Sequence, residues 1–97
     1  MATYITLLKY THQGITTIKD GAQRLENAKA AYAAAGAKLT AFYLTMGRYD
    51  AVVVSEAPDD ETVAKLALAT GRLGNVSTET LRAFNEDQFK KIIASLP

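Results

Sequence analysis

The sequence predicts an α+β sandwich: a four-stranded antiparallel sheet with two helices on one face and a further helix at the C-terminus. Three observations carry this. The apolar period switches between two and three-or-four along the chain, in the order β-α-β-β-α-β-α. Short turn signals separate the segments and no Pro-, Gly- or Ser-rich linker interrupts them, so residues 1–97 are expected to form a single domain. The chain has 97 residues, 48% hydrophobic and 22% charged, a balance that suits one core rather than disorder.

Thr3 to Tyr10 is rich in β-branched and aromatic residues and reads as the first strand. Thr11-His12-Gln13-Gly14 breaks it. From Ile15 the apolar residues Ile15, Ile18, Ala22, Leu25, Ala28 and Tyr32 follow helical steps, and the alanine-rich end stops at Gly36. Gly21 sits inside this predicted helix, as a kink or a close approach. Ala37–Met46 and Asp50–Glu56 read as the second and third strands, joined through Met46-Gly47-Arg48-Tyr49 as a hairpin. After Pro58, the acids Asp59-Asp60-Glu61 suit the positive end of a helix dipole, and Val63, Leu66, Ala67 and Thr70 form that helix's apolar side. Asn75 to Phe84 alternates as a fourth strand. Asn85, with Gln88 three residues on, resembles a capping box, and it opens a helix carrying Phe89, Ile92, Ile93 and Leu96 on one side. This order is the ferredoxin-like, split βαβ arrangement.

Such a sheet covers one face with helices and leaves the other bare. Ile5/Leu7 and Phe42/Leu44 are the expected helix-facing sets. The bare face would then present Tyr4, Thr6, Leu8, Tyr10, Leu39, Ala41, Tyr43, Thr78 and Arg82, which is too apolar for a solvated surface. Two such faces packed together would make a homodimeric α/β barrel with a small cleft at each end.

Composition excludes several classes of function. There is no Cys, so disulfides, thiolate nucleophiles and cysteine metal sites are absent. There is one His, so sites needing two or three imidazoles are absent too. The net charge of +1 gives no basic footprint for nucleic acid or a membrane surface, and no aromatic strand of the RNA-binding type occurs. Neither a secretory leader nor a membrane span is recognisable, so a cytoplasmic protein is expected. No phosphate loop, dinucleotide fingerprint, nucleophile elbow or HExxH motif is found, and no cofactor is expected.

Gly47-Arg48-Tyr49-Asp50, the apolar strand Ala51–Val54, and Glu56-Ala57-Pro58-Asp59-Asp60 together resemble the GYD domain family. Gly74-Asn75-Val76-Ser77-Thr78-Glu79-Thr80-Leu81-Arg82-Ala83-Phe84 resembles that family's last strand. Leu7, Thr11, Gly14-Ile15, Lys19-Asp20 and Arg24 fit it as well, so the resemblance spans nearly the whole chain. It implies a ferredoxin-like fold and no particular reaction. The wider group of dimeric α/β barrels includes small monooxygenases, haem enzymes and stress-response proteins, which is analogy at the level of fold.

Individual residues suggest two uses. As a homodimeric binding or interaction module, the protein would hold a small organic ligand near Tyr10, Tyr43 and Tyr49, whose hydroxyls suit an aromatic or carbonyl compound. Arg48 would offer a planar fork to a carboxylate or phosphate. Gly47 and Asp50 are assigned to holding the hairpin, Asp50 by accepting from turn amides. Arg82, on a sheet face, needs a partner, which Glu56 or Asp50 of the other subunit could supply, or an anionic ligand. As a cofactor-poor oxygenase or isomerase, the protein would instead use His12 as base, or as a haem ligand. Asp59-Asp60-Glu61 is explained by its place at a helix start, and no metal site is expected.

Overall fold

A computed structural model describes residues 1–97. Its elements are β1 (Ala2–Tyr10), α1 (His12–Thr16), a 3-10 turn (Ile18–Asp20), α2 (Gly21–Ala34), β2 (Lys38–Leu44), β3 (Ala51–Ala57), α3 (Asp60–Gly71), β4 (Val76–Ala83) and α4 (Glu86–Ala94). The strands form one antiparallel sheet in the order β2-β3-β1-β4, consistent with the ferredoxin-like arrangement. No helix is long and apolar enough to cross a membrane.

The single helix expected from Ile15 onward is divided in two. The Thr16 and Thr17 hydroxyls bond back to the carbonyls of His12 and Gln13, at 2.7 and 2.9 Å, and compete with the regular helical pattern. Arg24 bridges the break by donating to the carbonyls of Gly14 and Thr17. Gly21 starts α2 at this joint. A methyl there would meet only Ile18 Cδ1, at 3.8 Å, so Gly21 marks neither a kink inside a helix nor a close approach. Ile15 and Ile18, from the expected apolar stripe, are exposed.

The other helix starts follow local chemistry. Asp59 caps α3 by accepting from Thr62 N at 2.8 Å and Thr62 Oγ1 at 2.7 Å, and these two donors hold its carboxyl below the ordinary value of 3.8. A lowered folded value stabilises the fold fully above pH 3.8, and that contribution is lost as the pH falls through the lowered value. Asp59→Ala is therefore expected to destabilise at about pH 7, with a deficit that shrinks by about pH 3, read from denaturant melts. Asn85 and Gln88 form a reciprocal capping box, with bonds of 2.8 and 2.9 Å.

The faces of the sheet correct the expected assignment. Tyr4, Thr6, Leu8 and Tyr10 of β1 point toward the helices, and Tyr4 and Thr6 are buried. Ile5 and Leu7 lie on the bare face. Thr78 and Arg82 of β4, opposite Leu8 and Tyr4, share the helix side. In β2, a bulge at Thr40 places Leu39 opposite Ser55 and Ala41 opposite Val54. The extra residue puts Leu39 with Phe42 on the helix side and leaves Ala41 and Tyr43 on the bare side, as only part of the simple alternation predicts. Both sets in β1 are apolar enough to be buried, so alternation alone did not choose between them. What chooses is fit: Tyr4 lies over small β3 residues and donates to Asp60 of α3.

Only 11 of 97 residues are buried, so the single chain encloses little core. That core, Tyr4, Tyr32, Ala37, Ala57, Val63 and Leu66, gathers where β1 begins and α2 ends. Burial raises the Tyr32 hydroxyl above its ordinary pKa. Ser55, fully buried nearby, has a hydroxyl with no hydrogen-bond partner. Ser55→Ala removes that unpaired group and is expected to raise stability by about 1 kcal/mol, seen as a higher Tm.

Candidate functional site

Two features of the fold can engage another molecule: the bare face of the sheet and a cavity beneath the helices. On the bare face, Ile5, Leu7, Val52, Val54 and Leu81 form a continuous apolar centre, with Ala41 and Tyr43 beside it. Tyr43 is 62% exposed and Leu81 45% exposed, since no helix covers this side. Polar residues stand at its ends. Lys38 lies opposite Glu56 at one end. At the other, the Tyr49 hydroxyl donates to Glu79 Oε2 at 3.0 Å, and Lys9 Nζ sits 5.9 Å from the centre of the Tyr49 ring. The Glu79 carboxylate, by accepting this bond, raises the Tyr49 pKa. An apolar centre with a polar rim is the anatomy of a protein interface.

The hairpin behind this rim is tied to β1. Asp50 Oδ2 accepts from Tyr10 N and Asp50 N donates to Leu8 O, both at 2.8 Å. Gly47 takes a positive φ of 106°, where a side chain would be strained. Thr45 closes the loop by donating to Tyr49 O at 2.7 Å. Arg48 is exposed at the tip.

On the opposite face lies an apolar cavity of about 280 Å³, between the sheet and helices α2 and α3. Tyr10 lines it together with Thr6, Leu25, Ala28, Phe42 and Leu66. The structure thus separates the three tyrosines expected to converge: Tyr10 faces the cavity, whereas Tyr43 and Tyr49 belong to the bare face.

Arg82 lies on the helix side at the β4 edge, 4.5 Å from the Phe84 ring centre and 5.7 Å from that of Tyr4. It donates to the carbonyls of Thr3 and Ala83. Within one chain, its needs are met by these rings and carbonyls, and Glu56 stands on the other face. Beside it, the Asp60 carboxylate accepts from the Tyr4 hydroxyl and raises the Tyr4 pKa. His12 is exposed at the start of α1 and is not among the residues around the cavity. No group of three or more His, Cys, Asp or Glu stands together in metal-binding array.

Lys9, Lys38 and Glu79 are the rim residues that sequence reasoning passed over. For Lys9 and Glu79 the signal was their alternation with Ile5, Leu7 and Leu81, legible only once the face is known. α4 adds a further exposed surface, since Phe89, Ile92 and Ile93 share one side and no other element packs closely on it.

The chain is 34% identical over 84 residues to a protein of Thermus thermophilus named "Glutamine synthetase and cystathionine beta-lyase binding protein", covering 86% of this chain and 88% of that one. A crystal structure from the same organism superposes with a TM-score of 0.56 at 24% identity, over 88% of this chain and 95% of the other, which supports the fold. The GYD domain profile matches residues 4–93, almost the full length, and the protein belongs to the GYD domain family.

Proposed function

We propose that the protein is a homo-oligomeric interaction module: two copies pair through the bare faces of their sheets, and the assembly docks on larger protein partners. The observation that carries this reading is the open apolar face built from Ile5, Leu7, Val52, Val54 and Leu81. Leaving such a patch in water is costly, and a second copy of the same patch, turned about a two-fold axis, covers it with matching chemistry. The polar rim supports the pairing, because Lys9 and Lys38 carry charge opposite to Glu56 and Glu79.

The partner class follows the relative, whose name describes binding to two metabolic enzymes. In this protein the apolar side of α4 is the surface assigned to such a partner, since it stands clear of the body and outside the paired sheets. Sedimentation velocity over a range of protein concentrations tests the pairing. A dimer or larger assembly is expected; a monomer at every concentration overturns the reading. Glutamine synthetase from the same cell, presented on a biosensor, tests the docking. Binding that is lost in the double variant Phe89→Ala, Ile93→Ala supports the role of α4, and binding unaffected by it removes that role.

A further inference from the structure

The two ends of this sandwich are packed differently. At one end, Tyr4, Tyr32, Val63 and Leu66 close the space between sheet and helices. Toward the other end the layers stand apart and leave the cavity of about 280 Å³. Protein interiors rarely hold voids much larger than a water molecule. The cause lies in the side chains: α2 turns Gly21, Ala28 and Ala31 toward the space and α3 turns Ala67 and Thr70, all too small to reach the sheet. Larger groups, Leu8, Leu25, Phe42 and Leu66, stand around it as walls. Exposed Asn27, Ala31 and Ala69, from the facing sides of the two helices, also border the cavity, so its mouth opens between α2 and α3.

Charge narrows what can enter. Arg24 is the one charged residue around the cavity, and its Nη2 donates to Gly14 O at 3.3 Å, to Thr17 O and to Thr17 Oγ1 at 3.0 Å, which holds the guanidinium on the α1–α2 joint rather than over the floor. No Asp, Glu or Lys lines it. Among its polar groups, Thr6 Oγ1 and Thr80 Oγ1 face each other across the floor at a slack 3.4 Å, Thr78 stands next along β4, Tyr10 lines it from β1, and the Tyr32 hydroxyl of α2 lies beside Thr6, while Asn27, Thr70 and Asn75 border it elsewhere. A bond of that length leaves donor and acceptor capacity free for a third group. The volume lies just below the ~300–1,000 Å³ typical of small-molecule sites.

We propose that this cavity binds a small, uncharged, mostly apolar molecule, a phenol or similar ring compound carrying one hydroxyl or carbonyl, with the ring between α2 and α3 and the oxygen on the Thr6–Thr80 pair. The site lies across the sheet from the proposed pairing face and does not depend on it.

A titration of the full protein with 4-ethylphenol, followed by amide NMR, tests the assignment. Saturable shifts are expected in α2 around Ala28 and in α3 around Leu66. Ala28→Leu fills the space and is expected to weaken binding at least ~10-fold; Ala67→Leu fills it from the α3 side and serves if the first variant does not fold. Thr80→Val keeps the shape, removes the hydroxyl and is expected to weaken binding about 3- to 10-fold. The carboxylate analogue 4-ethylbenzoate is expected to bind much more weakly, because the one cation around the cavity, Arg24, is held away on the carbonyls of Gly14 and Thr17. The proposal is overturned if the α2 and α3 amides show no saturable shift, if a folded cavity-filling variant binds unchanged, or if the shifts map to Ile5, Leu7 and Val54 instead.

Discussion

Val54→Lys is expected to leave the protein a folded monomer, unable to form the proposed pair. Val54 lies on β3 between Ile5 of β1 and Ala41 of β2, in the apolar centre of the bare face. In a single chain its side chain is only half buried, and a lysine there reaches water along its own methylene stem. In a two-fold pair the same change places two ammonium groups in a closed apolar interface. Each costs several kcal/mol when no carboxylate meets it, so pairing should weaken by at least ~10³-fold. Sedimentation velocity reads the assembly and far-UV circular dichroism reads the fold. Leu68→Lys, on the outer side of α3 at 74% exposure, is the control and is expected to change neither. A Val54→Lys protein that still assembles would move the pairing surface elsewhere, with the apolar side of α4 next to be tested.

The second large effect is expected at Gly14. A methyl built on this buried glycine would lie 1.9 Å from Asn75 O and 2.8 Å from its carbonyl carbon. Backbone of this kind cannot step aside, because both chains are tied here. Thr11 N donates to Asn75 O at 3.1 Å, Thr11 Oγ1 donates to Gly74 O at 2.6 Å, and Thr11 Oγ1 also accepts from Gly14 N at 3.0 Å. To admit a side chain, α1 must lift from the start of β4 by more than an ångström and break these bonds. Gly14→Ala is therefore expected to cost about 3 kcal/mol, measured by denaturant melts. Gly21→Ala provides the contrast. Gly21 has helical φ and ψ of −59° and −40° and open space around it, so alanine there should stabilise by up to about 1 kcal/mol.

That pair of glycines separates what is legible in the chain from what is not. Sequence context places Gly14 in a break and Gly21 inside a helix, and nothing in their neighbours shows that Gly14 alone is crowded. The difference lies in Asn75, more than fifty residues away. Features decided by neighbouring residues were readable: the order of strands and helices, the acids at the start of α3, the Asn85–Gln88 capping box and the short hairpin at Gly47. Their energies arise within a few residues of chain. The resemblance carried by Gly47-Arg48-Tyr49-Asp50 and its flanks likewise led to the family.

The candidate sites were less legible. In β1 the sets Tyr4/Thr6/Leu8/Tyr10 and Ile5/Leu7/Lys9 each contain enough apolar surface for burial. Strand alternation has a period of two and no sign, so it separates the faces without saying which is inside. The sign comes from long-range fit, with Tyr4 reaching Asp60 of α3 and packing on small residues of β3. The bulge at Thr40 then shifts part of β2 by one residue, which local alternation does not register. The sign of β1 and β4 takes Tyr10 to the cavity and Arg82 to the helix side at the β4 edge, away from Tyr43 and Tyr49 on the bare face, while the bulge changes the side of Leu39. From the residues alone came the strands, most of the helices, their order and the expectation of one sheet face left apolar and uncovered. Which residues make that face, and where a cavity remains, is settled by packing, because both depend on how side chains distant along the chain fill one shared volume.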